Sequence, residues 1–341
     1  MKLHAAAVLF AILVGTSSLT VFGQASAPLA KPAAATTTTW KVPRTADGQP
    51  DLQGVWTNAT SIPMERPKDL GAKEFYTPQE AAEIAAKGYH GDRNPLPEAH
   101  YDMSQFGIDP TQNKFAQNLR TSLIVGPEGR IPPMLPEAVK RNAARAAKMK
   151  GHEWDGAESR NLAERCIMWA QEGPPMLGAT YNNNLEIVQS ANQVAIFTEL
   201  IHDARVIPLS GPLDGSPHPS KDIRLLRGDS RGHWEGDTLV VDVTNFTGKT
   251  AFRGSSENLH VIERFTRTSP QTILYEFTID DPSTWDRPWT AQLVMGPADG
   301  EIYEYACHEG NHALANSLSA ARAEEKQSAG EPVVNGNGQT K

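Results

Sequence analysis

The chain has 341 residues, with 32 Lys and Arg against 40 Asp and Glu, a net charge of −8. That acidic balance argues against nucleic acid as a partner, since affinity there comes from neutralising phosphates with basic side chains. Beyond the N-terminal segment, no run approaches the roughly 20 apolar residues that a membrane-spanning helix needs, so no stable membrane insertion is expected.

Lys2 and His4 precede an apolar run from Ala5 to Val14, and small and polar residues continue to Gln24. A charged start, a short apolar centre and a small-residue exit mark a secretory signal peptide. Residues 1–23 are expected to direct export to the periplasm or the medium, with cleavage after Gly23 or Ala25. Residues 24–39 are rich in Ala, Pro, Ser and Thr and read as a flexible leader.

Residues 40–183 read as an irregular, partly helical half packed on the C-terminal half of the chain. Turn formers crowd residues 40–75, and Gly54-Val55-Trp56 reads as a short strand with a buried indole. Thr77 caps a helix that Pro78 opens and that runs to Ala86. Residues 89–118 look irregular, Ser122–Val125 reads as a strand, and Pro127-Glu128-Gly129 as a turn. Pro136 opens a second helix to about Met149, whose Lys140, Arg141, Arg145, Lys148 and Lys150 form a solvated basic face.

From residue 184 the period changes to short, β-branched, alternating segments. These are Leu185–Gln189, Val194–Leu200, Arg205–Leu209, Ile223–Leu226, Thr238–Phe246, Leu259–Thr266, Thr272–Ile279, Thr290–Met295 and Ile302–Cys307. Such spacing predicts a mainly β, antiparallel body over 184–327, either barrel-like in the calycin or lipocalin manner or a sandwich. Glu235-Gly236-Asp237 and Asp299-Gly300 read as hairpin turns. Ala313–Glu325 reads as a closing helix, and residues 328–341 as a disordered tail.

The candidate chemistry starts with His308-Glu309-Gly310-Asn311-His312. On a helix, His308 and His312 would share a face and could grip zinc, with Glu309 as general base. Gly310 and Asn311 are weak helix formers and the motif follows a predicted strand, so the main reading requires no cofactor and zinc is the alternative. Residues two apart on a strand share a face, which sets Glu304 with His308, Glu263 with Val261 and Phe265, Glu276 with Leu274, and Asp242 between Val240 and Thr244. A carboxylate turned into a cavity is desolvated, and its raised pKa suits acid–base work; on a solvated face it does neither. Asp229, Arg231, His233 and Glu235 share one side if that segment is extended, either holding a polar substrate or forming an ion-pair ladder. Glu199, His202 and Arg205 lie close in sequence, and Arg205 would clamp a carboxylate or pair with Asp203 or Glu199. Trp289, with Trp234 and Trp285, would line an aromatic mouth for a flat ligand. Cys166 and Cys307 are the only cysteines, and in an oxidising compartment such a pair is expected to bond, the alternative being two buried thiols. No nucleophile elbow, phosphate-binding glycine loop or haem-attachment motif is present.

PRTADGQPDLQGVW, YNNNLEIVQS, GDSRGHWEGDTLVVDVTNF, TIDDPSTWDRPWT and YEYACHEGN together resemble a large family of exported proteins from environmental bacteria. The resemblance covers nearly the whole mature chain. It implies one structural unit with a β-rich, barrel-like second half, and cysteines matching both Cys166 and Cys307. It also implies that the position of His312 varies, so that His308, Glu309 and Asn311 carry the shared role. It implies no reaction.

The sequence thus points to an exported protein with a small-molecule site, for binding or for acid–base chemistry of the lyase, isomerase or hydrolase kind. His308, Glu309, Glu304, Glu263 and His202 are the candidate catalytic groups, and Arg205, Trp289 and His233 the candidate substrate contacts. The alternatives are a zinc hydrolase using His308, His312 and Glu309, and a structural or surface protein without a site.

Overall fold

The computed structural model describes residues 40–60, 62–86, 118–126, 128–178, 181–209, 217–250, 252–298 and 300–330. The expected signal peptide and leader, nearly all of the irregular 89–118 stretch and the tail beyond residue 330 lie outside them. The fold is mainly β, with three α-helices: α1 (Pro78–Ala86), α2 (Pro136–Met149) and α3 (Ala313–Ser328). Nine strands form one sheet: β1 (Gly54–Thr57), β2 (Asn184–Ser190), β3 (Gln193–Thr198), β4 (Asp203–Pro208), β5 (Asp229–Glu235), β6 (Thr238–Thr244), β7 (His260–Ser269), β8 (Thr272–Asp280) and β9 (Trp289–Pro297). No helix among the described residues is long and apolar enough to cross a membrane.

The two-residue alternation visible in the sequence decides which face is inside. Leu239, Val241 and Val243 of β6, Val261 and Phe265 of β7, Ile273, Tyr275, Phe277 and Ile279 of β8, and Ala291, Leu293 and Met295 of β9 are buried in one core. Leu185, Ile187, Val194, Ile196 and Ile207 add the β2–β4 part. Each such side chain contributes roughly 1.5–3 kcal/mol by leaving water. Trp56 is buried as expected, and β1, though it comes from the N-terminal half, lies inside the sheet between β2 and β9.

The sheet order is β4-β3-β2-β1-β9-β8-β7-β6-β5, with every ladder antiparallel. Around a ring, this is chain order with one gap, between β4 and β5. Nine is an odd number. Strand directions that alternate from β1 to β4, and back from β9 to β5, leave β4 and β5 pointing the same way. The two edges meet at a single bridge, Leu209–Gly232, and it is parallel. The antiparallel ladder therefore cannot continue across this seam, and the sheet is not a closed barrel. Parallel neighbours also need a crossover connection. The segment between β4 and β5 supplies it, and its described part, from Pro217 to Gly228, includes a second parallel bridge, Leu225–Phe246.

Three expected elements differ. Ile302–Cys307 alternates in sequence but is not a strand. Both sides of β9 are already occupied, by β8 and β1, so no edge is free beside it. The segment is held instead by a Cys166–Cys307 disulfide and by Tyr305 against Tyr181, and Asp299 of the expected Asp299-Gly300 hairpin turn lies outside the described residues. Ile223–Leu226 and Ser122–Val125 make only isolated bridges, at Leu225 and Ile124. Conversely, Asp229–Glu235 is a full strand whose Gly232 sits at the seam. The two early helices fall where expected. In α1 the Thr77 hydroxyl accepts from the Glu80 N–H while Glu80 accepts from the Thr77 N–H, a capping box. On α2, Arg141 leaves the solvated basic face and donates to Ser283 O and Thr284 Oγ1.

A Cβ on Gly232 would stand 2.9 Å from both Ile207 Cγ2 and Leu209 Cδ2. Gly232→Val should therefore force β4 and β5 apart and lower stability by about 1–3 kcal/mol despite valine's strand propensity. Gly236, with φ +61° and open space around it, marks the contrast: Gly236→Asn should be near neutral. Urea midpoints of the two variants check this; a Gly232→Val protein as stable as the parent would contradict the seam.

Candidate functional site

Two groups of ionisable side chains lie on opposite faces of the sheet. The inner one centres on Glu263 of β7, which is fully buried. Its Oε2 lies 2.9 Å from Arg205 Nη1, and its Oε1 accepts from Arg205 Nη2 at 3.2 Å and from Tyr275 Oη at 2.6 Å. Tyr275 Oη in turn accepts the Met176 N–H at 2.9 Å. Burial first, then the negative charge of Glu263, push the Tyr275 phenol well above its usual range, so it stays a donor. Met176 ends a wholly buried segment, Gln171–Met176, that reaches the inner face; Gly173, at φ +55°, lets it turn, since a Cβ there would strike Met176 N. Every partner in this group belongs to the chain, and Arg205 is already engaged rather than free to hold an anion.

Within this segment stands a second buried carboxylate, Glu172. Its Oε2 accepts from Arg227 Nη2 at 2.7 Å, and Arg227 Nη1 donates to Asp203 at 2.6 Å. Burial pushes Glu172 up to about 7 against the pull of Arg227.

The outer group spans β5, β6 and β7. His260 Nε2 donates to Asp242 Oδ2 at 2.9 Å. The other oxygen of Asp242 faces His218 Nε2 at 2.9 Å, and His218 Nδ1 faces Asp229 Oδ2 at 2.7 Å. Arg231 closes the row with donors to both Asp229 oxygens, at 2.8 and 3.1 Å. The register explains the assembly. Asp242 stands opposite Arg231 on one side and Ile262 on the other, so Asp229 and His260 are its diagonal neighbours on the same face. His218 arrives from the crossover connection. All five side chains are partly accessible, unlike Glu263. The hydrogen bond from His260 holds the Asp242 carboxyl below the usual range despite partial burial. The same bond to Asp242 raises His260 against a smaller opposing effect of burial, with Asp280 adding to the rise. Farther along β5, His233 and Arg264 share Glu235, so the expected Asp229–Glu235 row forms an ion-pair ladder.

The remaining candidates do not join either group. Glu304, His308 and Glu309 are exposed, in coil rather than on a strand. His312 is the N-cap of α3 and His308 lies before it, so the two histidines do not share a helix face, the arrangement zinc binding by this motif requires. Among the described residues, no three His, Cys, Asp or Glu side chains are grouped to hold a metal ion. His202 is exposed in the β3–β4 turn, at φ +58°, edge-on to Phe197. Trp289 is in the core, 5% exposed, and lines a depression beside the 124–132 loop.

Sequence patterns alone do not single out His218 and His260. Their signal is weak: a Pro-His-Pro triplet, and a histidine just ahead of VIERF. Asp242 is visible as the one charged residue in TLVVDVT, but its partners are 18 and 24 residues away. Comparison of the chain with family models, with curated proteins and with solved structures finds no match.

Glu172 sets a pH dependence. Its folded pKa lies above its ordinary value of 4.5, so its contribution to stability is fully present below pH 4.5 and is lost as pH rises through about 7. Unfolding free energy should fall across that window, and Glu172→Gln should flatten the fall. Urea titrations at several pH values between 4.5 and 8 test this; an unchanged slope in the variant would assign the dependence elsewhere.

Proposed function

We propose that the chain is an exported small-molecule protein with a barrel-like body, and that its working site is the outer row His260–Asp242–His218–Asp229–Arg231, which runs acid–base chemistry of the elimination, isomerisation or hydrolysis kind. The observation that carries this reading is the His260–Asp242 pair on an accessible sheet face, with Asp242 fixed from its other side by His218. Export is supported by the disulfide, which persists in oxidising compartments.

Asp242 accepts from His260 Nε2, so neutral His260 keeps its lone pair on Nδ1. Among the described residues Nδ1 has no hydrogen-bond partner. It can take a proton from a substrate C–H or O–H and return it to another atom of the same molecule. The imidazolium formed in between is stabilised by Asp242, whose hydrogen bond raises the His260 pKa above its ordinary value. His218 facing two carboxylates, and the bidentate Arg231, stop Asp242 and Asp229 from rotating away. Arg231, His218 and Asp229 act through Asp242 and are positioning residues.

The proton signals of His260 should titrate above 6.5, and in Asp242→Asn the midpoint should fall. A thermal-shift screen of small carbonyl and ester compounds should yield ligands that stabilise the parent and lose their effect in His260→Gln, since a ligand shifts melting only through the folded state it binds. Ligands that stabilise parent and variant equally would place the site elsewhere.

A further inference from the structure

A depression of about 300 Å³ is lined by residues of 124–126 and 128–132 and by the start of β9. Its walls include Pro132, Pro288 and Trp289, and its rim includes Arg130, Arg287 and Glu128. Prolines and Trp289 share the lining about equally with charged and polar groups, and the volume is at the lower end of the range for small-ligand pockets, the size of one ring rather than several.

The charges decide what enters. Arg287 Nη2 donates to Glu128 Oε2 at 2.5 Å, and its Nη1 reaches Asp286 at 3.4 Å. Arg130 donates through Nη2 to the Arg66 carbonyl, and its Nη1 lies 3.8 Å from Glu65. Neither guanidinium holds a carboxylate with both arms, although a fork of two parallel donors suits that group. The Arg287–Glu128 pair is solvent-exposed, at 48% and 66%, and such pairs are worth at most about 1 kcal/mol. Glu128 is thus a weakly held internal carboxylate that marks where an external one would sit. Trp289 is 5% exposed and lines the depression beside the two prolines.

We infer that this depression is a second ligand site, separate from the His260 row, that takes a small aromatic carboxylate. The ring lies against the two prolines and the small accessible edge of Trp289, and the carboxylate displaces Glu128 from Arg287.

Benzoate is the probe, with benzyl alcohol as its uncharged counterpart, and the readouts are titration calorimetry and tryptophan fluorescence on the intact chain. Benzoate should bind saturably and at least about tenfold more tightly than benzyl alcohol. Arg287→Gln should weaken benzoate about tenfold or more, the loss expected for a charged hydrogen bond. Glu128→Gln removes the internal competitor and should tighten it several-fold. Both positions are exposed, so the variants should keep the parental circular dichroism and melting temperature. Absence of saturable benzoate binding to both the parent and Glu128→Gln up to about 10 mM, an affinity too weak for a built site, would overturn the inference. So would equal binding by Arg287→Gln, or by benzyl alcohol.

Discussion

Glu263 is a charge with no route to water, and the rest of the interior is arranged around that fact. A carboxylate removed from water is tolerable only when paired and hydrogen-bonded, and breaking such a pair is far more costly than never having had it. Its partners come from three places distant in the chain: Arg205 on β4, Tyr275 on β8, and through Tyr275 the backbone of Met176. β4 and β7 lie well apart in the sheet order, so the ion pair joins opposite parts of the inner face. The same contact anchors the buried Gln171–Met176 segment. Hydrophobic burial draws the strands together without direction. The Glu263 network adds direction, tying β4, β7, β8 and the Met176 backbone to one another through defined hydrogen bonds.

The inner and outer groups differ by a single step in register. In the β6–β7 ladder, Val241 pairs with Glu263 and the next pair is Asp242 with Ile262. Glu263 is turned inward and its neighbour Asp242 outward because successive strand residues alternate. The inward carboxylate is sealed and serves architecture. The outward one keeps contact with solvent, two imidazoles and their protons. One ladder therefore supplies both an inward carboxylate paired with Arg205 and Tyr275 and an outward one paired with histidines.

Much of this is readable from the chain. Alternation locates β2 to β4 and β6 to β9, puts Glu263 on the face of Val261 and Phe265, and capping signals place α1 and α2. It misleads at Ile302–Cys307, where the pattern is present but no sheet edge is available, a fact that depends on β1 being inserted beside β9 from more than 200 residues upstream. It leaves Asp229–Glu235 only conditionally extended; the reason for Gly232 within it is contact with β4, which no local window contains. His218 escapes for a similar reason. Its role comes from two aspartates brought to it by the sheet, and nothing in Pro-His-Pro announces them.

The odd strand count has one more consequence. Because β4 and β5 run the same way, no tight hairpin can join them, and the described part of the longer connection sets His218 on Asp229 and Asp242. That passage is separate from the core ladders. The group it presents above Asp242 is therefore set by the connection and not by the register of the strands. The crossover is, in effect, a replaceable tool-holder: the parity of the sheet forces it to exist, and natural selection is left to choose what it carries.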